Sequence, residues 1–152
     1  MTMNTRIPPP LVVVIIATLM WWLARFAGPG NFKFEGQPLF AIIFMTAGIV
    51  MMLVAAFSFY KAKTTINPLD PSKASYLITT GMFSFSRNPI YLADLLVLIA
   101  WAIWLGNIFN IALLVVFVVY INRFQIAPEE RALGILFGDA YREYCARVRR
   151  WI

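Results

Sequence analysis

The sequence has no histidine, one cysteine (Cys145) and only seven acidic residues in 152. A lone thiol rules out an internal disulfide, and without histidine no metal-ligand spacing remains, which argues against zinc and haem chemistry. Charge is scarce altogether: 13% of residues are charged and 61% are hydrophobic, whereas soluble domains carry about a quarter charged residues. This composition is that of an integral membrane protein. No GxGxxG occurs, so no soluble-type dinucleotide fold is implied. Nor is there a repeat, a low-complexity tract or a second domain, and residues 1–152 read as one membrane unit.

Long uncharged runs are what the sequence has instead. They extend from Ile7 to Ala24, from Gly36 to Tyr60, and from Asn88 to Asn122 with Asp94 as the one interruption. A spanning helix needs roughly 20 apolar residues, so the first two runs give one span each. The third is too long for one span and contains Gly106-Asn107, a turn signal, which predicts a tight helical hairpin. The expected fold is all-α, with four spans at about 9–26, 39–60, 89–105 and 108–124 and a tail over 125–152. The first run could pass for a signal peptide, but Trp21, Trp22 and Arg25 stand where a small-residue cleavage site belongs.

Lysine and arginine set the orientation, because short cytoplasmic loops retain positive charge. In the four-span arrangement Arg6, Lys61, Lys63, Lys73, Arg87, Arg123, Arg131, Arg142, Arg147, Arg149 and Arg150 fall on one side, and only Arg25 and Lys33 on the other. Both termini are therefore expected in the cytoplasm. The net charge of +6 is accounted for by anionic lipid headgroups, without nucleic acid.

The segment from Lys61 to Pro89 is too long for a simple connector, and Ile66, Leu69, Tyr76, Leu77, Ile78, Phe83 and Phe85 equip it to fold onto the bundle. After the last span, Pro128 at a first helical position and Glu129 and Glu130 in the first turn predict a separate cytoplasmic helix. Gly138 should break it. Beyond the break, Tyr141, Tyr144, Cys145, Val148, Trp151 and Ile152 form one face and Arg142, Glu143, Arg147, Arg149 and Arg150 the other.

Each unusual residue also has an ordinary role. Arg87 can anchor a helix end to phosphate, Pro89 can start a helix, Tyr91 can sit in an interfacial belt, and the glutamates can serve the helix dipole. Asp94 is harder to explain so, since an acid within a span is costly and usually faces a partner or a cavity. Hairpin mouth, loop and tail all meet at one membrane surface, where together they could enclose a pocket.

The stretches LITTGMFSFSRNPIYLAD and EERALGILFGDAYREYCARVRRW, in that order around a hairpin, resemble the isoprenylcysteine carboxyl methyltransferase and phospholipid methyltransferase superfamily. The resemblance covers about residues 61 to 152. It implies S-adenosylmethionine as methyl donor and a lipophilic small-molecule or lipid acceptor arriving from the bilayer. It places Tyr76, Leu77, Ile78, Gly81, Phe83, Asn88, Pro89, Tyr91, Glu129, Glu130 and Tyr141 around the cofactor. Arg87, Arg147 or Arg150 would hold the cofactor carboxylate, because a guanidinium can form two parallel hydrogen bonds to it. Asn88 stands where the isoprenylcysteine enzymes usually have histidine, and Gln125 where eukaryotic ones have a substrate-binding arginine, leaving Arg123 as the nearest cation. A prenylcysteine carboxylate acceptor fits these departures poorly. For an amine or thiol acceptor, Asp94 beside Tyr91 is the candidate base.

Two other readings stay open. Tyr91 to Asp94 and Tyr144-Cys145 share features with membrane sterol reductases, which would use NADPH. A non-catalytic multispan protein, with Asp94 lining a path, is the third. The acceptor and the oligomeric state are not fixed by the sequence.

Overall fold

The computed structural model describes residues 7–26, 29–62 and 76–152. Arg6, Lys63, Lys73, Ile66 and Leu69, invoked above, lie outside them. Four apolar helices form the bundle: α1 (Pro9–Phe26), α2 (Gln37–Lys61), α3 (Pro89–Leu105) and α4 (Asn110–Ile121), followed by α5 (Ala127–Arg147). There is no strand among the described residues, only an isolated antiparallel bridge between Asn31 and Asn107.

α1, α2 and the helix running on from Asn110 are long and apolar enough to cross a membrane. α3, with 17 residues, sits at the lower limit of roughly 17. The outward faces are apolar as well, with Leu53, Phe57, Ile111 and Val119 all exposed. Such faces are stable only against lipid, and the protein is an all-α integral membrane protein.

Lipid gives helices no hydrophobic reason to pair, so close packing of small residues does that work. The buried residues of α2 are Ala41, Gly48 and Ala55, at seven-residue spacing, and α3 answers with Ala93 and Ala100. At Gly48 the backbones come so near that a Cβ would stand 2.9 Å from Val97 Cγ2 and 3.0 Å from the Ala93 carbonyl oxygen. On the other side of α3, Met20, Leu98, Phe117, Ile121 and Ile126 fill a core shared with α1 and α4.

The hairpin turns where Gly106-Asn107 predicts it. Gly106 is left-handed (φ 60°), and its carbonyl accepts from the Phe32 N–H at 2.7 Å. Asn107 Nδ2 donates to Asn31 Oδ1 at 2.7 Å, and Gln37 Nε2 to the Ile103 carbonyl at 2.7 Å. These bonds satisfy carbonyls at the C-terminal end of α3 and close that end of the bundle.

At the other end the expectation of a separate helix starting at Pro128 needs correction. The chain stays helical from α4 into α5 through one widened π turn, Asn122–Ile126. The Ala127 N–H reaches back five residues to the Asn122 carbonyl. Proline clashes with the carbonyl four residues before it, and widening the preceding turn relieves that clash without breaking the helix. Gly138 does interrupt α5, at φ 53° and ψ −123°. Around it Leu133 and Phe137 pack with Tyr141, Tyr144 and Val148. The expected apolar face of the tail ends there: α5 stops at Arg147, and Ile152 is exposed.

Gly106→Ala should destabilise the protein by about 2 kcal/mol or more, since it strains a positive φ and sets a Cβ 2.5 Å from the Phe32 carbonyl oxygen. Unfolding in mixed micelles would check this, with Ile43→Val on the lipid face as the neutral control.

Candidate functional site

The polar residues of the open end converge on the mouth of the α3–α4 hairpin. Pro89 opens α3 after Asn88, where a missing N–H costs nothing. Asn88 sits at the cap position but makes no side-chain bond to its own helix. Its Nδ2 instead donates to the Arg150 carbonyl at 3.0 Å. Ser86, buried at 3% exposure, accepts from the Asn88 N–H at 3.1 Å and donates through Oγ to the same Arg150 carbonyl at 3.4 Å.

Glu130 is the electrostatic centre. It accepts from Arg150 Nε at 3.1 Å and Nη2 at 2.6 Å, and from Arg87 Nη2 at 2.9 Å. Two cations on one carboxylate leave the cluster with a positive excess. The two arginines are not equivalent: the Arg87 side chain is 14% exposed and that of Arg150 40%. The hydrogen bond to Glu130 raises the Arg150 pKa further above its usual value. Arg87 Nε is buried with no hydrogen-bond partner.

Beside this cluster Tyr91 Oη donates to Glu129 Oε1 at 2.5 Å. One turn deeper on α3, Asp94 is also buried, at 7% exposure. Gln125, fully buried on the π turn, donates to the Ile7 carbonyl at 2.8 Å and leaves Oε1 unpaired. Because the Ile7 carbonyl needs a donor, the amide orientation is fixed and the orphan is the oxygen.

Ile78 and Phe83 pack with Ala55 of α2, which carries the loop against the bundle. The loop is further held by Tyr144 Oη, donating to the Phe83 carbonyl at 2.6 Å. Burial pushes the Tyr144 phenol up to about 12, so it stays a donor at neutral pH. Leu77 packs with the Tyr141–Tyr144 cluster, while Gly81 (φ 63°) is open and Tyr76 exposed. Arg123 and Arg147 are not brought to the cluster. Both are exposed, and Arg147 bonds its own helix at the Glu143 carbonyl.

Sequence reasoning gave Ser86 and Asn122 no role, and named Trp151 only on the apolar face of the tail and Tyr144 only there and in the reductase-like pair. Trp151 Nε1 donates to Asn122 Oδ1 at 3.2 Å, tying the chain after α5 to the π turn. Only Ser86 carried a readable signal: Ser-x-Asn before a helix is a side-chain turn pattern.

An α-helical membrane bundle with a charged, partly buried cluster at one end defines the class, that of a small integral membrane protein. The family model for phospholipid methyltransferase matches residues 37–140. The chain belongs to this family, within the superfamily of membrane methyltransferases that includes the isoprenylcysteine enzymes. It is 49% identical over 63 residues to an uncharacterized protein of Haemophilus influenzae, covering 41% of this chain and all of that one. It is also 33% identical over 96 residues to the Delta(14)-sterol reductase LBR of Gallus gallus, which is 54% of this chain but 15% of the reductase. No solved structure matches it.

Glu130→Ala should cost about 3 kcal/mol, because it strands Arg87 without a counter-charge. Arg150→Ala should cost about 1 kcal/mol or less, as for other solvent-exposed pairs. Comparing the two unfolding curves in micelles checks the asymmetry.

Proposed function

We propose that the protein transfers the methyl group of S-adenosylmethionine to a lipophilic acceptor at the cytoplasmic face of the membrane, with both termini on that side. The family match carries this reading, and the composition of the cluster supports it. The amino-acid head of the cofactor presents a carboxylate and an ammonium. Arg87, whose Nε is buried without a partner, suits the first, and Glu129 with Tyr91 suits the second. Tyr141 and the loop residues Leu77, Ile78 and Phe83 offer apolar surface for the flat base.

The cofactor, when bound, supplies an electrophilic methyl group on a sulfonium centre. What the protein then has to do is align the acceptor and keep water out, and the site residues are suitably sheltered: Tyr91 and Asp94 are 5% and 7% exposed. Asp94 is a buried carboxylate, and Gln125 Oε1 is a buried hydrogen-bond acceptor lacking a donor. They favour an acceptor molecule that carries N–H or O–H over one presenting a carboxylate. For an ammonium acceptor, Asp94 would take the proton and free the nitrogen lone pair for the methyl group, whose bond to the sulfonium would break with its electron pair left on sulfur.

A second reading, an NADPH-dependent reductase, is favoured by the partial likeness to the sterol reductase. Calorimetry of the detergent-purified protein with S-adenosylhomocysteine and, separately, NADPH decides between them. Saturable S-adenosylhomocysteine binding that weakens at least about tenfold in Glu129→Ala is expected, equivalent to the loss of a charge-assisted hydrogen bond. Binding of NADPH instead would favour the reductase, and binding of neither would favour a non-catalytic protein. With an amine acceptor in hand, Asp94→Asn should lower kcat by about 100-fold or more while leaving S-adenosylhomocysteine affinity within a factor of about three.

A further inference from the structure

At Val148, whose backbone is extended, the chain leaves α5, and the residues that follow, Arg149 to Ile152, lie at the hairpin mouth. Three donors of the mouth are directed at two carbonyls of this segment. The Arg87 N–H bonds the Arg149 carbonyl at 3.1 Å. Asn88 Nδ2 and Ser86 Oγ bond the Arg150 carbonyl at 3.0 and 3.4 Å. Three convergent donors beside a guanidinium with an unpaired Nε are the environment a carboxylate requires, and here the protein's own backbone fills it.

The side chains of the segment are held in a way that permits release. Arg150 bonds Glu130 but is 40% exposed, so water can solvate it on departure. Glu130 would not be stranded, since Arg87 remains at 2.9 Å. Trp151 is anchored by one hydrogen bond to Asn122 at 3.2 Å and by contact with the α1–α3–α4 core. Val148, buried at 8% exposure in the tail cluster, is the fixed point from which the segment could swing.

We propose that Arg149 to Ile152 form a releasable strap whose carbonyls occupy a carboxylate site made by Ser86 Oγ, the Arg87 N–H and Asn88 Nδ2, and that a ligand carboxylate displaces them. This rests on the proposed cofactor, whose amino-acid head carries such a group. Strap and ligand are then competitors for the same donors, and any interaction that holds the strap down slows ligand entry.

Amide hydrogen exchange on the full chain in nanodiscs tests this, with S-adenosylhomocysteine and with methylthioadenosine, which has no amino-acid head. S-adenosylhomocysteine should speed exchange at residues 149–152 by about tenfold or more while the Arg87 amide stays protected. Methylthioadenosine should leave the strap unchanged. Trp151→Leu should speed S-adenosylhomocysteine association by about tenfold, a weaker strap being easier to displace. If S-adenosylhomocysteine binds but the strap amides become slower or stay the same, the strap inference fails while the methyltransferase reading stands. Binding only in Trp151→Leu would support the strap strongly. If neither protein binds S-adenosylhomocysteine, both proposals are overturned.

Discussion

Glu130 is the carboxylate on which the open end of the molecule depends. Arg87, just before α3, Glu130 in the first turn of α5, and Arg150, beyond the end of α5, are far apart in sequence, and a single pair of oxygens joins them. Such a cluster is costly to desolvate, and it holds only because every charge has a partner or some access to water. The other contacts of the mouth fit around it. Tyr91 meets Glu129 one residue away, and Ser86 and Asn88 meet the backbone that carries Arg150.

The two ends of the bundle divide the work. At the Gly106 end, backbone and amide hydrogen bonds between the α3–α4 turn and residues 30–37 are neutral and closely spaced. At the Glu130 end the bonds are charged, and Arg87 Nε and Gln125 Oε1 are left unmade there, as both side-chain atoms of the buried Asn110 are at the Gly106 end. Unsatisfied polar groups within a membrane are expensive. At the Glu130 end they stand beside the charged cluster and the buried Asp94, where a ligand that paired with them would repay the cost.

The π turn at Asn122–Ile126 links these features. Without the widening, Pro128 would end the helix, and Glu129 and Glu130 would lie on a separately oriented element. With it, α4 delivers Gln125 into the core, and α5 delivers Glu130 to Arg87 along one continuous helix. Asn122 on the same turn holds Trp151, so the turn that lets the glutamates arrive also anchors the strap that lies beside them.

The sequence by itself determined the membrane class, the four apolar helices, the hairpin at Gly106-Asn107 and the break at Gly138. Each follows from a local property: an uncharged run, a residue that tolerates positive φ, a proline that fixes a helix start. The candidate site was legible as a set of residues around the SRNP stretch and the Glu129-Glu130 pair. Which glutamate would hold the arginines was not legible, because the two are neighbours and only the rotation of α5 about its axis separates them. Nor were the continuity of α4 into α5 and the strap of Arg149 to Ile152, since a π turn and an extended backbone owe their form to distant partners. Those partners, Asn122 for Trp151 and Ser86 to Asn88 for two carbonyls some sixty residues on, meet only when the helices pack, and tertiary structure alone decides that.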